Sequence, residues 1–405
     1  MNPNSRGSLL AAATLSLSLA TACSDSVADA PLAASRAELL DLAFRTAAAI
    51  PVEPHVKSRS RAQDAVVAAC LELDQPRRAL GYVEHIDNWR RGAAYADLAF
   101  YCAQHGRAGD APHYLDLAGK IAESPECDSP QDWRRDRIRV KIAGTLVWLG
   151  QIEKAAAFEV GLVNSEVGKV QAVKAMLIDA AAFDEQMAEL ERVVATENFD
   201  QVQNALATCA QLFNRFYDDA GRRARVEQAI RASWTKSKLP ISVRFDSLIE
   251  LAGFALGHHD AGKALDLAHD AELMIAGSKW LPENQIPLMA RLAGLRCRAG
   301  DAAAARREAD AALQLFDASR DRIVDIARAG ALRPVAEAYQ VMGDTAAALA
   351  VYRRAVEEGA RNPNARPRAE DLCATCCSMA LLGVEPDARL HARMLQIHGA
   401  LGQPW

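Results

Sequence analysis

Only 6% of this 405-residue chain is aromatic, which is poor provision for a carbohydrate-binding groove or a large β-sandwich. Basic residues show no excess: 47 stand against 52 acidic ones, a net charge of −5, so nucleic acid is excluded as the main partner for want of counterion-displacing charge. Local catalytic signatures are missing too. There is no GxxxxGK[ST], no GxGxxG after a strand, no HExxH and no GxSxG, so phosphate-cradle, zinc-protease and nucleophile-elbow chemistries have no local support. The one uncharged apolar run, Leu9 to Ala22, is too short and too mild to span a bilayer permanently. What the chain has in quantity is Ala, about a fifth of all residues, within a composition that is 50% hydrophobic. That excludes intrinsic disorder and points to helices. At this length the chain is two or three ordinary domains or one elongated repeat array.

The N-terminus, MNPNSRGSLLAAATLSLSLATAC, carries one basic residue, Arg6, ahead of a short apolar run and small residues, the layout of a secretory signal. Leu19-Ala20-Thr21-Ala22-Cys23 resembles a bacterial lipobox, although Leu stands four residues before the Cys rather than three. The resemblance implies a signal peptide over 1–22, lipidation of Cys23 as the new N-terminus, a polar tether over 23–35, and a location in the cell envelope, held at a membrane by lipid alone. Plain secretion is one alternative; an Ala-rich leader on a cytoplasmic protein is the other.

Internal repetition organises the remainder, residues 36–405. Taking a turn residue as position zero, seven segments align on Asp74, Gly106, Gly150, His259, Gly300, Gly343 and Gly383. Position +5 is Ala in all of them: Ala79, Ala111, Ala155, Ala264, Ala305, Ala348 and Ala388. Position −7 is small or β-branched (Val67, Ala99, Ala143, Ala252, Ala293, Ala336, Cys376), and positions −8 and +12 are mostly apolar. Spacings of three and four on both sides of the turn give each of two helices one apolar face. Small residues at −7 and +5 let the helices approach, and Gly at zero supplies the left-handed conformation that ends the first helix. A single hairpin cannot bury its face alone, so neighbours must stack.

The segment LRPVAEAYQVMGDTAAALAVYRRAV places Leu332, Val335, Ala336, Tyr339, Gly343, Ala348, Tyr352 and Ala355 at the spacings of a tetratricopeptide repeat, and the chain resembles that family over about 60–400. The resemblance implies an all-α, right-handed solenoid of about nine hairpins, two of them degenerate, turning near Phe183 and near 218–221, with a leading helix over 36–50. Neighbouring landmarks lie 32, 44, 41, 43 and 40 residues apart, so most repeats are longer than the family's roughly 34 residues. In the family the concave face comes from positions −13, −10, −6 and −3 of the first helix. Carried over, these include Arg61, Asp64, Phe100, Arg137, Arg333, Glu337 and Gln340 among small apolar residues. The face is expected to be covered by its own second helices through tight superhelical winding, the alternative being that it takes an apolar peptide or helix.

No metal or cofactor is expected. Cys373 and Cys376 form a CxxC followed by Cys377, but Cys376 falls at −7 and Cys70 and Cys102 at −4, positions for buried small hydrophobes. Cys127, in the polar stretch SPECDSPQD, is the expected exposed thiol. His258 and His259 fall in a turn some ten residues from His269, too far to share an ion. The functional expectation is a non-enzymatic protein–protein interaction scaffold with an unidentified protein partner. A cytoplasmic regulatory or assembly module is the alternative, and an α/α-type hydrolase a remote one.

Overall fold

The computed structural model describes residues 28–127, 133–162, 164–196, 198–236 and 239–405. The signal peptide, Cys23 and the start of the tether lie outside the described residues. Within them are nineteen α-helices and no strand. After α1 (Ala34–Ala49) come nine pairs. They are α2 (Val52–Glu72) with α3 (Pro76–Val83), α4 (Arg90–Gln104) with α5 (Ala111–Ala122), and α6 (Trp133–Trp148) with α7 (Ile152–Glu159). Next are α8 (Asn164–Leu177) with α9 (Phe183–Val194), α10 (Phe199–Arg215) with α11 (Ala220–Lys236), and α12 (Ile241–Gly257) with α13 (Ala261–Ala276). The last are α14 (Pro282–Arg298) with α15 (Ala302–Ser319), α16 (Asp325–Val341) with α17 (Thr345–Ala360), and α18 (Ala365–Leu382) with α19 (Ala388–Gly399). The protein is an all-α solenoid.

All seven landmarks take the left-handed conformation, with φ from 53° at Asp74 to 92° at Gly300, and His259 does so at 59°. In three pairs the next residue caps the second helix: the side chains of Asp260, Asp301 and Asp344 accept from the amides of Lys263, Ala304 and Ala347 at 2.8–3.0 Å. Neither degenerate pair contains a residue with positive φ at its turn. Every −7 and −8 residue is buried, and so is every +5 alanine through Ala348.

The solenoid closes on itself. Each first helix touches the next, from α2 through α4, α6, α8, α10, α12, α14 and α16 to α18, and α18 then packs against α2. The apolar core runs across the junction of the two chain ends without a break. Sealing this junction is the work of α1, which packs on α18 more extensively than on α2. It brings buried Leu39, Leu40, Leu42, Ala43 and Phe44, while the Arg36 guanidinium donates to the carbonyls of Ala380 and Leu381 at 2.6 and 3.1 Å. At the far end of α1, Thr46 Oγ1 lies 3.1 Å from His398 Nδ1. So α1 runs antiparallel to α18 and takes the place that α17 has beside α16.

This arrangement corrects two sequence expectations. Ala388 and Leu395, at +5 and +12 of the last repeat, are exposed, because α1 holds the position beside α18 and α19 is displaced outward on Leu390, Met394 and Ile397. The start of the first repeat also reaches further back than Arg36. Asp29 accepts from the amides of Arg77 and Arg78 at the start of α3 (2.7 and 3.3 Å), and the Ala30 amide donates to the Asp74 carbonyl at 2.8 Å. The part of the expected tether from Asp29 onward is therefore bound to the folded body. A third correction concerns Cys127: a 3-10 turn over Pro125–Cys127 folds its side chain beneath α5, where it is fully buried, and Cys297 is the partly exposed cysteine instead.

Candidate functional site: the ring lumen and a splayed hairpin

Nine first helices arranged in a ring enclose a lumen, and its walls show which residues face inward. One cavity of about 310 Å³ is lined by residues of α2, α12, α14, α16 and α18, among them Glu72, Arg291, Arg298, Glu337 and Val341. A second, of about 260 Å³, is lined from α4, α6 and α8 by Asp97, Phe100, Lys141, Gly144 and Lys169. No second helix contributes a lining residue to either cavity, so the lumen is not covered by the chain's own second helices as expected.

Counted from the landmarks, the lining residues fall at −10 and −9, at −6 and −5, and at −2 and −1. Asp97, Lys141, Arg291 and Pro334 stand at −9; Phe100, Gly144, Gly294 and Glu337 at −6; Glu72, Arg298, Val341 and Leu381 at −2. Of the seven candidates named from sequence, only Phe100 and Glu337 line these cavities. Small or apolar residues at −10 (Ala96, Val140, Ile249 and Ala290) also line the cavities, but the polar candidates at −10 and −3 reach the following repeat instead. Asp64 pairs with Arg90 of α4 at 2.8 Å, Gln340 donates to the Leu382 carbonyl at 3.3 Å, and Cys373 reaches the Ala62 carbonyl at 3.8 Å across the ring junction. Arg333 sits between α16 and α18, where its charge opposes the raised pKa of Asp371. Arg137 stacks over the Trp133 ring at 5.0 Å, and Arg61 is exposed on α2.

Two lumen charges are paired across repeats. Lys141 bonds Asp97, and Arg291 bonds Asp246 at 2.7 Å. Burial raises the pKa of Asp64, with Asp97 adding to the effect and Arg90 opposing it. Glu250, at −9 of α12, is raised by burial and by Asp246 although its side chain is exposed, as suits a carboxylate inside a concave wall. Glu337 accepts from Ser378 Oγ at 2.6 Å, and Ser378 is in turn 2.7 Å from the Tyr352 hydroxyl.

The cysteines show no feature of a reactive centre. All eight among the described residues are free and seven are buried. Burial pushes Cys102 up to about 11 and Cys209 up to about 12 and holds Cys376 well above the usual thiol range; the hydrogen bond with Cys377, reinforced by burial, does the same for Cys373. Among the described residues no group of three or more His, Cys, Asp or Glu side chains is placed to hold a metal ion. His258 lies 3.0 Å from Asn214 and stacks on Tyr217 at 4.3 Å. Among the described residues no helix is long and apolar enough to cross a membrane.

A further concavity was not foreseen. Helix α8 packs on α6 and α10, while its chain neighbour α9 packs on α10 and α11. The pair α8–α9 is splayed, and a groove of about 670 Å³ opens between α8, α9 and α10, lined mainly by polar residues such as Gln171, Glu185, Gln186, Gln201 and Asn204. A signal for it exists in the sequence: counted from Phe183, Ala188 keeps the small +5 position, but no Gly, Asp or His stands at position zero and the large Met176 falls at −7. In the structure Ala188 is exposed.

No protein-family profile matches this chain, and no curated protein does. Among solved structures it is similar to a chain described as "Circular tandem repeat protein with novel repeat topology and enhanced subunit contact surfaces", at 14% identity over 90% of this chain and 94% of that one, with a TM-score of 0.28. It is also similar to one described as "Human IFIT1 dimer with PPP-AAAA", at 17% identity over 80% and 73%, with a TM-score of 0.23. Scores this low carry no argument, and the closed ring rests on the contacts described above.

Proposed function

We propose that the protein is a non-enzymatic interaction scaffold that receives a protein partner in its lumen and is held at a membrane of the cell envelope through lipid on Cys23. The observation that supports the scaffold role is the lumen wall itself. Exposed Val341, half-buried Phe100 and paired charges stand at regular intervals on rigid helices, a surface suited to a polypeptide with mixed apolar and charged side chains. The support for the anchor is the lipobox-like Leu19–Cys23 alone. Because Asp29 is bonded to α3, an anchor at Cys23 would leave a short leash and hold the ring close to the lipid.

Intact mass and membrane fractionation of the native protein beside Cys23→Ser test the anchor. Loss of residues 1–22, a gain of acyl mass and sedimentation with membranes are expected for the native protein only. The lumen is tested by a photo-crosslinking residue at Phe100 or Val341, with Leu273 on the outer helix α13 as control. One common adduct from both lumen positions and none from Leu273 is expected; equal yields from all three would sink the lumen assignment. A cytoplasmic module is the second reading, favoured by the eight free cysteines among the described residues, and a soluble, full-length, unlipidated native protein would support it over the anchor.

A further inference from the structure

We propose that α1 and α19 are alternative occupants of one position beside α18, and that their exchange opens and closes the ring. Two features carry this. First, the second helix of the ninth pair is supplied from the other end of the chain, since α1 lies antiparallel to α18 in that place. Second, α19 bears on its exposed side the pattern by which second helices dock elsewhere. In α13 the buried residues at +5, +9, +12 and +16 are Ala264, Ala268, Ala271 and Ile275; in α15 they are Ala305, Ala309, Ala312 and Phe316. The same positions in α19 are Ala388, Ala392, Leu395 and Gly399, and all four are exposed.

The way α19 begins does not explain its displacement. Helix α5 also starts at +5, after an Asp at +4, and buries Ala111, Leu115, Ala118 and Ala122 in the ordinary way. The two helices differ in what stands beside their partner: α4 has no competitor, whereas α18 has α1. Helix α1 prevails because it brings buried Leu39, Leu40 and Leu42, with Phe44 stacked on Tyr82 of α3, where α19 offers two alanines, a leucine and a glycine. In its present place α19 also buries Leu390, Met394 and Ile397, which the exchange would uncover, so the closed ring is the ground state.

The connections permit the exchange. Only Ile50 and Pro51 join α1 to α2, and the backbone of Glu53, Pro54 and His55 departs from helical geometry just beyond. Gly383 already reverses the chain with φ 66°, so α19 has to move only from the outer flank of α18 to its normal side. Release of α1 breaks the Ser35, Arg36 and Thr46 bonds to α18, α19 and the turn between them. It also parts Asp41 from Arg78 and Tyr82 and Phe44 from the Tyr82 ring, while Asp29 still ties the segment before α1 to α3. The direct packing of α18 on α2 is then the remaining bridge at the junction. Opening there gives lateral access to the lumen.

The exchange predicts opposite changes at adjacent residues of α19. In the full chain, Met394→Cys and Leu395→Cys are introduced separately, and thiol labelling is read site by site by peptide mass spectrometry. Each is then combined with Leu39→Ala/Leu40→Ala, which weakens α1, and with removal of residues 28–50. When α1 is weakened or absent, labelling at 394 is expected to rise about tenfold and labelling at 395 to fall severalfold. A rise at both sites would show that α19 merely frays, and no change at either that it stays in place; both overturn the proposal. Should the chain without 28–50 fail to fold, the double alanine variant decides alone.

Discussion

Among single residues, Asp371 shows most clearly how the ring's packing sets chemistry. Its carboxyl lies between α17 and α18, raised from 3.8 to about 7 by burial, with Arg333 opposing and Glu370 reinforcing, and it accepts from Asn362 at 3.2 Å. A carboxyl whose folded pKa is raised favours the fold fully below its unfolded pKa, near 3.8, and loses that contribution as the pH climbs towards 7. Asp371→Asn keeps the acceptor for Asn362 and removes the ionisation. Its melting temperature should exceed the parent's by about 2–4 °C at pH 8, with the gain vanishing near pH 4. Parallel calorimetric scans at the two pH values check this; a gain independent of pH would assign the effect to something other than ionisation. The Asp was visible in the sequence, but its environment was not, because Arg333 and Asn362 meet it only through the packing of successive repeats.

At the scale of elements, two helical glycines with opposite surroundings separate close approach from empty space. A Cβ on Gly168 of α8 would stand 2.1 Å from Cβ of Asn204 on α10, so these helices touch through the glycine. A Cβ on Gly294 of α14 would meet nothing within 4 Å, because that side faces the lumen cavity. Gly168→Ala should therefore cost at least about 1–3 kcal/mol through overpacking. Gly294→Ala should stabilise by about 0.5–1 kcal/mol through helix propensity alone. Urea titration of both variants checks the pair, and equal effects would contradict the assigned lumen face. The hairpins were legible wherever the pattern is regular: all seven turn residues and six of the seven alanines at +5 behave as the spacing requires. Legibility ended at α8–α9, whose splaying follows from contacts of α8 with α6 and α10 that no local spacing encodes.

For the whole molecule, closure changes what losing an end means. In an open solenoid, removing the last hairpin subtracts one repeat and its interface. Here deletion of residues 363–405 takes away α18, the helix on which α1 packs most extensively, and so removes much of the surface that buries the leucines of α1, while Phe44 keeps its stack on Tyr82. Hydrogen exchange over residues 34–49 should then accelerate by about a hundredfold or more, although these residues lie more than three hundred positions away in sequence. Unchanged protection there would mean that α2 alone holds α1, and that the ring junction contributes little.

The sequence by itself determined the unit: where each chain reversal falls, which residue takes the left-handed conformation, and which small side chains let paired helices meet. Those properties depend on neighbours within a few tens of residues, and a periodic pattern records them. Only the tertiary structure decided that nine such units form a ring, which side chains of the first helices line its lumen, and that α1 rather than α19 completes the ninth pair. Curvature accumulates from small rotations at every interface, so it belongs to no single repeat. The last position was settled by competition between two helices from opposite ends of the chain, and the more apolar of them took it.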